Sequence, residues 1–278
     1  MASRLGSFFQ KNAHSTLRRF YFGLVRRFSG VFAKRQSVYF VDINGTRFKR
    51  VVLGDSYEAS QVELALKEAP VEAGFSQLIQ RHENELLLSF VEGRKFNPTS
   101  TSDRDALVAF FGALYSADRR GQSTTTLWRS LEIDLEFLFT AGLLEPALRD
   151  SLLARAAEIR PVEIQVGLDY VDPVGKNFVM VGDAVVAIDV ESLRQDVPLG
   201  TGIAKAGVHW LEREAIDDFV DRVSDAADLT LSDQQPFVDL CFRVAWTKRK
   251  LLQGKHRSIR IELLQALVKA DVPSPSTK

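Results

Sequence analysis

The sequence predicts an α+β protein in two lobes, a small β-rich lobe followed by a mostly helical one. Three observations predict it. An Asn44-Gly45 pair is flanked by apolar, β-prone runs, and another apolar run follows from Glu85. Beyond residue 98 apolar residues recur at the three-and-four spacing of helix faces. One further hairpin pattern, Phe178 to Met180 and Ala184 to Ile188, is set among those helices. With 278 residues, 45% apolar and 26% charged, the chain has enough material for one or two cores.

In the first lobe, Ser37 to Ile43 and Thr46 to Leu53 read as two strands, because Asn-Gly favours the tight turn that matches strand twist. Lys49 and Arg50 are adjacent on the second strand and point to opposite faces, so only one of them lines any given cleft. After Gly54-Asp55, Ser56 is placed to cap a helix running to Ala69 and stopped by Pro70. Glu58 and Glu63 lie on that helix, either as partners of Lys49 or as solvated residues. Glu85 to Arg94 reads as a strand ending at Gly93, with Ser89, Phe90 and Val91 near its end.

The second lobe begins after the polar linker Pro98 to Ser102. Ser102 and Asp105 form a capping signature for a helix to about Ser116, with Leu107, Val108, Phe110, Phe111, Leu114 and Tyr115 as its apolar stripe. Helices are expected from Leu127 to Thr140, Glu145 to Ile159, Leu211 to Ala227, Ser232 to Leu252 and Ser258 to Ala270. Trp128, Trp210 and Trp246 fall within or beside them, where core packing is expected. Pro198 to Ala204 is glycine-rich and reads as a flexible substrate loop. It lacks the strand-loop-Lys-Ser/Thr order of a phosphate-binding glycine motif. The resulting units are a basic segment 1–36, a first lobe 37–97 and a helical lobe 98–278.

The segment richest in chemistry runs from Tyr170 to Glu191. Asp172 is followed five residues later by Asn177, and the hairpin after it ends at Asp189. These residues suit phosphoryl transfer, which asks the protein mainly for positioning and charge neutralisation. One carboxylate orients the acceptor hydroxyl and takes its proton, while an amide oxygen and a second carboxylate hold Mg²⁺ against phosphates. Asp, Pro, Gly and Asn also serve ordinary turns, so the assignment rests on the order of elements along the whole chain.

That order resembles the protein-kinase-like superfamily, and more closely its small-molecule branch of aminoglycoside, choline and lipopolysaccharide kinases. Asp172 and Asn177 match the catalytic-loop Asp-x4-Asn, and Asp189 matches the metal-binding Asp that follows. Ile188-Asp189-Val190-Glu191 is similar to the Ile-Asp-x-Glu of choline-kinase-like enzymes. The resemblance implies the bilobal protein-kinase-like fold, with ATP and Mg²⁺ as cofactors. It gives Asp172 the role of base, Asn177 and Asp189 the metal, Lys49 the nucleotide phosphates, and Glu58 or Glu63 the positioning of Lys49. Ser89, Phe90 and Val91 fall where such kinases read adenine through backbone groups. Tyr170-Val171 departs from the His-Arg or His-Gly of many relatives, and Val174 stands where protein kinases place a basic residue. Lys176 either supplies that charge or is a solvated surface residue. Asp42 to Thr46 holds one glycine, a poor phosphate loop. The implied activity is transfer to a hydroxyl of a small molecule, sugar or lipid-linked glycan. The alternative is a pseudokinase that binds nucleotide or acts as a membrane-surface scaffold.

The first 41 residues hold eight basic residues and no acidic one, leaving 28 basic against 36 acidic in the remainder. Aromatic residues interleave with these cations, a pattern that suits an anionic membrane interface, a mitochondrial presequence or a helix packed on the lobe. A membrane-peripheral interaction protein without a nucleotide site is the third class the segment allows. No nucleic-acid motif is present, and the acidic remainder repels phosphate backbones. The single Cys241 excludes an intrachain disulfide and suits a reducing compartment, and the four histidines lack metal-ligand spacing. A cytoplasmic protein is expected, peripheral on the inner membrane face if residues 1–36 bind there.

Overall fold

Asn44 and Gly45 both take left-handed backbone, with φ of 51° and 80°. This is the turn that lets β1 (Ser37–Ile43) and β2 (Thr46–Val52) pair in register from Ile43 opposite Thr46 to Ser37 opposite Val52. The computed structural model describes residues 37–269. The basic segment 1–36 and Ala270, the last residue of the final expected helix, lie outside them.

With β3 (Leu78–His82) and β4 (Glu85–Ser89), the hairpin forms a four-stranded sheet of order β1-β2-β4-β3. Helix α1 (Ser56–Glu68) packs on it through Ala59, Val62 and Ala65. Its cap is Asp55 rather than the expected Ser56. The Asp55 carboxylate accepts from the Glu58 N–H at 2.8 Å, because Asp55 keeps extended backbone while Ser56 already turns with the helix. The core of this lobe comprises Val51, Leu53, Ala59, Val62, Leu86 and Leu88, joined by Val190 from the other lobe.

After Ser89 the chain crosses between lobes, and β5 (Arg94–Lys95) pairs with the second hairpin. A Cβ on Gly93 would overlap the Met180 carbonyl oxygen, so this crossing requires glycine. The crossing is anchored by Arg94, which donates two hydrogen bonds of 2.7 and 2.6 Å to the buried Asp103. That guanidinium, with the Asn97 N–H, holds the Asp103 carboxyl well below the usual carboxylate range. Asp103 also belongs to the first turn of α2 (Thr101–Tyr115), whose cap is Ser100 rather than Ser102. The expected apolar stripe of α2 is buried throughout.

The remaining elements are β6 (Arg119–Ser123), α3 (Thr125–Thr140), α4 (Pro146–Ile159), β7 (Glu163–Tyr170), β8 (Phe178–Val181), β9 (Ala184–Ala187), β10 (Leu193–Pro198), α5 (Thr201–His209), α6 (Arg213–Ala227), α7 (Gln235–Leu252) and α8 (Ile261–Lys269). They form two small sheets, β10-β7-β6 and β5-β8-β9, and a helical body. Helix α7 starts three residues later than expected because Pro236, lacking an N–H, suits its first turn. Pro198 to Ala204 is not a flexible loop. It ends β10 and begins α5, whose Ile203, Ala204, Ala206 and Val208 are buried. One core surrounds α2 and the β8-β9 hairpin, and another lies among α3, α4, α7 and α8. Cys241 is buried in the latter, and burial pushes its thiol up to about 12.

Candidate active site

Strand β7 ends in Tyr170, which is fully buried among the rings of Phe75, Phe110 and Phe178 at centroid distances of 5.2–6.1 Å. Each ring so buried contributes about 1.5–3 kcal/mol relative to exposure. The strand end is therefore a firm platform for the loop that follows. In that loop the Val174 N–H donates to the Asp172 carbonyl and the Asn177 N–H to the Val174 carbonyl, both at 2.8 Å. Two tight turns in succession aim Asn177 back at Asp172.

The Asn177 amide nitrogen donates to the Asp172 carbonyl at 2.8 Å and lies 3.4 Å from the Asp172 carboxylate. It also lies 3.3 Å from Oδ2 of Asp189. The β8-β9 register, Phe178 opposite Ala187 and Val181 opposite Ala184, returns the chain to this point. The Ser192 hydroxyl donates to Asp189 Oδ2 at 2.9 Å, and the Val171 N–H donates to the Ser192 carbonyl at 2.9 Å. Asp172, Asn177 and Asp189 thus converge on one locus. The Asp172 side chain is 34% exposed and accessible to a ligand, whereas Asn177 is buried.

From the sheet lobe, Lys49 reaches across and donates to the Ile188 carbonyl at 2.5 Å, one residue before Asp189. Its positive field acts on the buried Glu191. The expected Lys49 partners are engaged otherwise. Glu63 pairs with Arg81 and, at 2.9 Å, with Lys67, while Glu58 accepts from the Gly54 N–H at 3.0 Å. Lys49 lies toward the Asp189 turn, whose Val190 joins the sheet-lobe core, and its field reaches Glu191 in that turn.

Lys176 is exposed, and the cation beside Asp172 is instead Lys205, with Nζ 3.3 Å from Oδ1. Burial lowers the Lys205 pKa, opposed by Asp172. Lys205 sits on α5, directly after the Pro198 to Ala204 stretch whose glycines read as a loop. Trp210, at the end of the same helix, donates its indole N–H to the Pro173 carbonyl at 2.8 Å and so braces the loop between Asp172 and Asn177. The i,i+4 spacing of Lys205 and His209 was the signal that would have found this face, had the segment been read as helical.

At the end of β4, the Ser89 N–H donates to the Gln77 carbonyl, and the Ser89 hydroxyl accepts from the Gln77 N–H at 2.9 Å. Phe90 meets Phe40 edge to face at 5.6 Å, and the Arg47 guanidinium lies 5.2 and 5.0 Å from the two ring centroids. Val91 is half-buried beside them.

Burial, followed by a hydrogen bond with Asp189, pushes the Glu191 carboxyl up, and its Oε2 is buried without a hydrogen-bond partner. The Tyr170 hydroxyl, raised by burial and by the fields of Asp189 and Glu191, is likewise without one. Two crowded acids and an amide suit a divalent cation. Among the described residues no group of three or more His, Cys, Asp or Glu forms a complete metal cage. Mg²⁺ requires none, since it commonly takes one or two carboxylates and completes its shell with phosphates and water.

No protein-family model matches the sequence, and no curated protein matches it. Solved structures do share the fold. Macrolide 2'-phosphotransferase MphH from Brachybacterium faecium superposes with a TM-score of 0.62 at 12% identity, over 88% of this chain and 91% of that one. Choline kinase LicA from Streptococcus pneumoniae gives a TM-score of 0.60 at 11% identity, over 92% and 98%. A thermostable mutant of aminoglycoside phosphotransferase APH(4)-Ia, in complex with ADP and hygromycin B, gives 0.59 at 12% identity, over 87% and 93%. A sheet lobe, a helical lobe and a hairpin site at their junction therefore give this chain the bilobal protein-kinase-like fold found in small-molecule phosphotransferases.

Proposed function

We propose that the chain is an ATP- and Mg²⁺-dependent phosphotransferase that acts on a hydroxyl of a small molecule, a sugar or a lipid-linked glycan. The observation that carries the reading is the Asn177 amide, which spans Asp172 on one side and Asp189 on the other. Structures of this fold bound to ADP, AMP-PNP and hygromycin B support a nucleotide beside a hydroxyl acceptor.

Asp172 receives the acceptor hydroxyl and takes its proton as the acceptor oxygen bonds to the γ-phosphorus. The bond from that phosphorus to the bridging oxygen breaks, and ADP leaves with the electron pair. Lys205 pairs with Asp172 and orients it. Lys49 neutralises nucleotide phosphates, and Ser89, Phe90 and Val91 border the adenine. Asn177 and Asp189 would hold Mg²⁺, which when bound neutralises phosphate charge. Residues 1–36, with their excess of basic residues, would bring the protein to an acceptor in an anionic membrane surface. Among the described residues no helix is long and apolar enough to cross a membrane.

The test is phosphoryl transfer by the full chain against Asp172→Asn and Asp189→Asn, with folding checked by circular dichroism. Loss of about 10²–10⁴-fold is expected of Asp172→Asn. Full turnover in both variants removes the assignment, and Mg²⁺-dependent nucleotide binding without transfer to any acceptor makes the protein a pseudokinase. Separately, liposome binding should disappear on deletion of residues 1–36.

A further inference from the structure

The helical side of the site carries more positive charge than phosphoryl transfer needs. Lys205 and His209 lie one turn apart on α5, and Lys205 is only 16% exposed where it pairs with Asp172. The end of α7 faces them. The His209 ring centroid is 6.2 Å from that of Trp246, and the Lys250 ammonium lies 4.9 Å from the Trp246 ring. Lys255 follows at the helix end, where its N–H donates to the Lys250 carbonyl at 3.0 Å. The positive fields of Arg249 and Lys255 reach Lys205, and those of Lys205, Lys250 and Arg260 reach His209. Asp172 is the acid whose field opposes them at each of Lys205, His209 and Lys250.

A helix C-terminus attracts basic residues through its dipole, and that accounts for Arg249 and Lys250 in the last turn of α7. It does not account for Lys205 within α5 or for Arg260 before α8. These cations come from separate elements and gather around Lys205, which pairs with Asp172, and around His209 one turn on. Burial, and then mutual repulsion, lowers the pKa values of Lys205, His209 and Lys250, and Asp172 opposes the shift at each.

A cavity of about 700 Å³ adjoins the cluster. His209, Trp210 and Arg260 line it, and Trp210 ties it to the catalytic loop through Pro173. Such a volume holds a sugar-sized ligand and more. Acids line it too. Asp239 is paired with Arg243 at 2.8 Å, while Glu212, Asp217 and Asp221 belong to the α6 side. The cavity meets the cluster at His209 and Arg260, and Asp172, Lys205 and Lys250 lie outside its lining.

We infer that the acceptor is an anionic alcohol, bearing a phosphate or carboxylate close to the hydroxyl that Asp172 deprotonates, and that Lys250, His209 and Arg260 recognise this anion. The inference rests on the phosphotransferase reading and names the substrate class of that site. Lys205 holds Asp172, Lys250 and Arg260 hold the acceptor's own charge, and the His209 ring donates a hydrogen bond to it. A cationic amino alcohol is repelled by the same cluster.

The test uses the full chain with Mg²⁺ and a non-hydrolysable ATP analogue, titrated by calorimetry with glucose 6-phosphate, glucose and glucosamine. These probes share a ring and differ in charge. Glucose 6-phosphate should bind about tenfold or more tightly than glucose, as loss of a charge-assisted hydrogen bond is worth a factor of that order. Lys250→Glu should remove that preference, and Lys250→Arg should keep it. Arg260→Glu is the second variant if Lys250→Glu fails to fold. Phosphatidylinositol vesicles, compared with phosphatidylcholine vesicles, test whether the anion is lipid-borne or free. Equal binding of the three sugars, or a preference for glucosamine, overturns the inference. If Lys250→Glu weakens the nucleotide-induced thermal shift and not sugar binding, the cluster serves the nucleotide and the inference also falls. Absence of any Mg²⁺-dependent nucleotide shift in the wild type refutes the phosphotransferase reading itself, and the acceptor assignment with it.

Discussion

Asn177 stands 3.3 Å from Asp189 across the base of the β8-β9 hairpin, amide nitrogen to carboxylate oxygen, while the same nitrogen donates to the Asp172 carbonyl at 2.8 Å. One side chain thereby sets the spacing of both acids. Because Asn177 is buried, no water can take over its bonds without a rearrangement of the loop.

Asn177→Ala should lose phosphoryl transfer by about 10²-fold or more, since misplacing a reacting group by roughly 1 Å is already costly. It should also lose the Mg²⁺-dependent part of nucleotide stabilisation, read as a thermal shift with and without the metal. The fold should weaken by about 1–3 kcal/mol, the cost of leaving a buried partner unpaired. Unaltered transfer in a folded Asn177→Ala protein contradicts the geometry described.

Lys205→Met should lower kcat by about tenfold or more, because Asp172 loses the ammonium beside its carboxylate. Lys205→Arg keeps the charge and should recover much of the rate. Lys176→Met, on an exposed residue, should recover nearly all of it. A larger loss at Lys176 than at Lys205 would contradict the role proposed for Lys205.

Asp169 gives a pH dependence to stability. Its carboxyl is fully buried, accepts from the Tyr115 hydroxyl at 2.9 Å and from the Gly202 N–H at 2.9 Å, and is pushed up to about 7 chiefly by burial. The folded value lies above the unfolded value of about 3.9. Native protein therefore binds the extra proton between them, and the stabilisation is complete below about pH 4 and lost as pH rises toward 7. Urea unfolding at pH 5 and pH 8 should show a loss of up to a few kcal/mol on going up. Asp169→Asn should flatten that slope, and an equal slope in the variant counts against Asp169 as its source.

Gly93→Ala places a methyl group against the Met180 carbonyl oxygen and should cost about 1–3 kcal/mol, in the range of overpacked sites. The crossing strand β5 would be pushed off β8, so nucleotide affinity should fall along with stability. Chemical denaturation and nucleotide titration on the same sample check both, and a variant as stable as wild type disproves the close approach.

Much of the architecture was legible because it is written in neighbouring residues. Asn44-Gly45 sets its hairpin by its own backbone preferences, and the α2 stripe from Leu107 to Tyr115 shows its face by spacing alone. The same holds for the span from Asp172 to Asp189, where turn residues and one hairpin close the distance. The caps at Asp55 and Ser100 were displaced because several adjacent polar residues qualify for each, and the backbone geometry selects among them. Strand β6, Arg-Arg-Gly-Gln-Ser, carries no strand preference at all and exists through its ladder to β7.

By itself the sequence determined two lobes, their order, and an Asp-Asn-Asp set brought together by short-range turns. Tertiary structure alone decided that Lys205 rather than Lys176 meets Asp172, that Glu191 is buried within the field of Lys49, and that α5 is a helix at all. The physical reason is range. Turn and helix preferences act over a few bonds and are encoded locally, whereas an ion pair spanning 33 residues, such as Asp172 with Lys205, depends on packing energies summed over the whole fold.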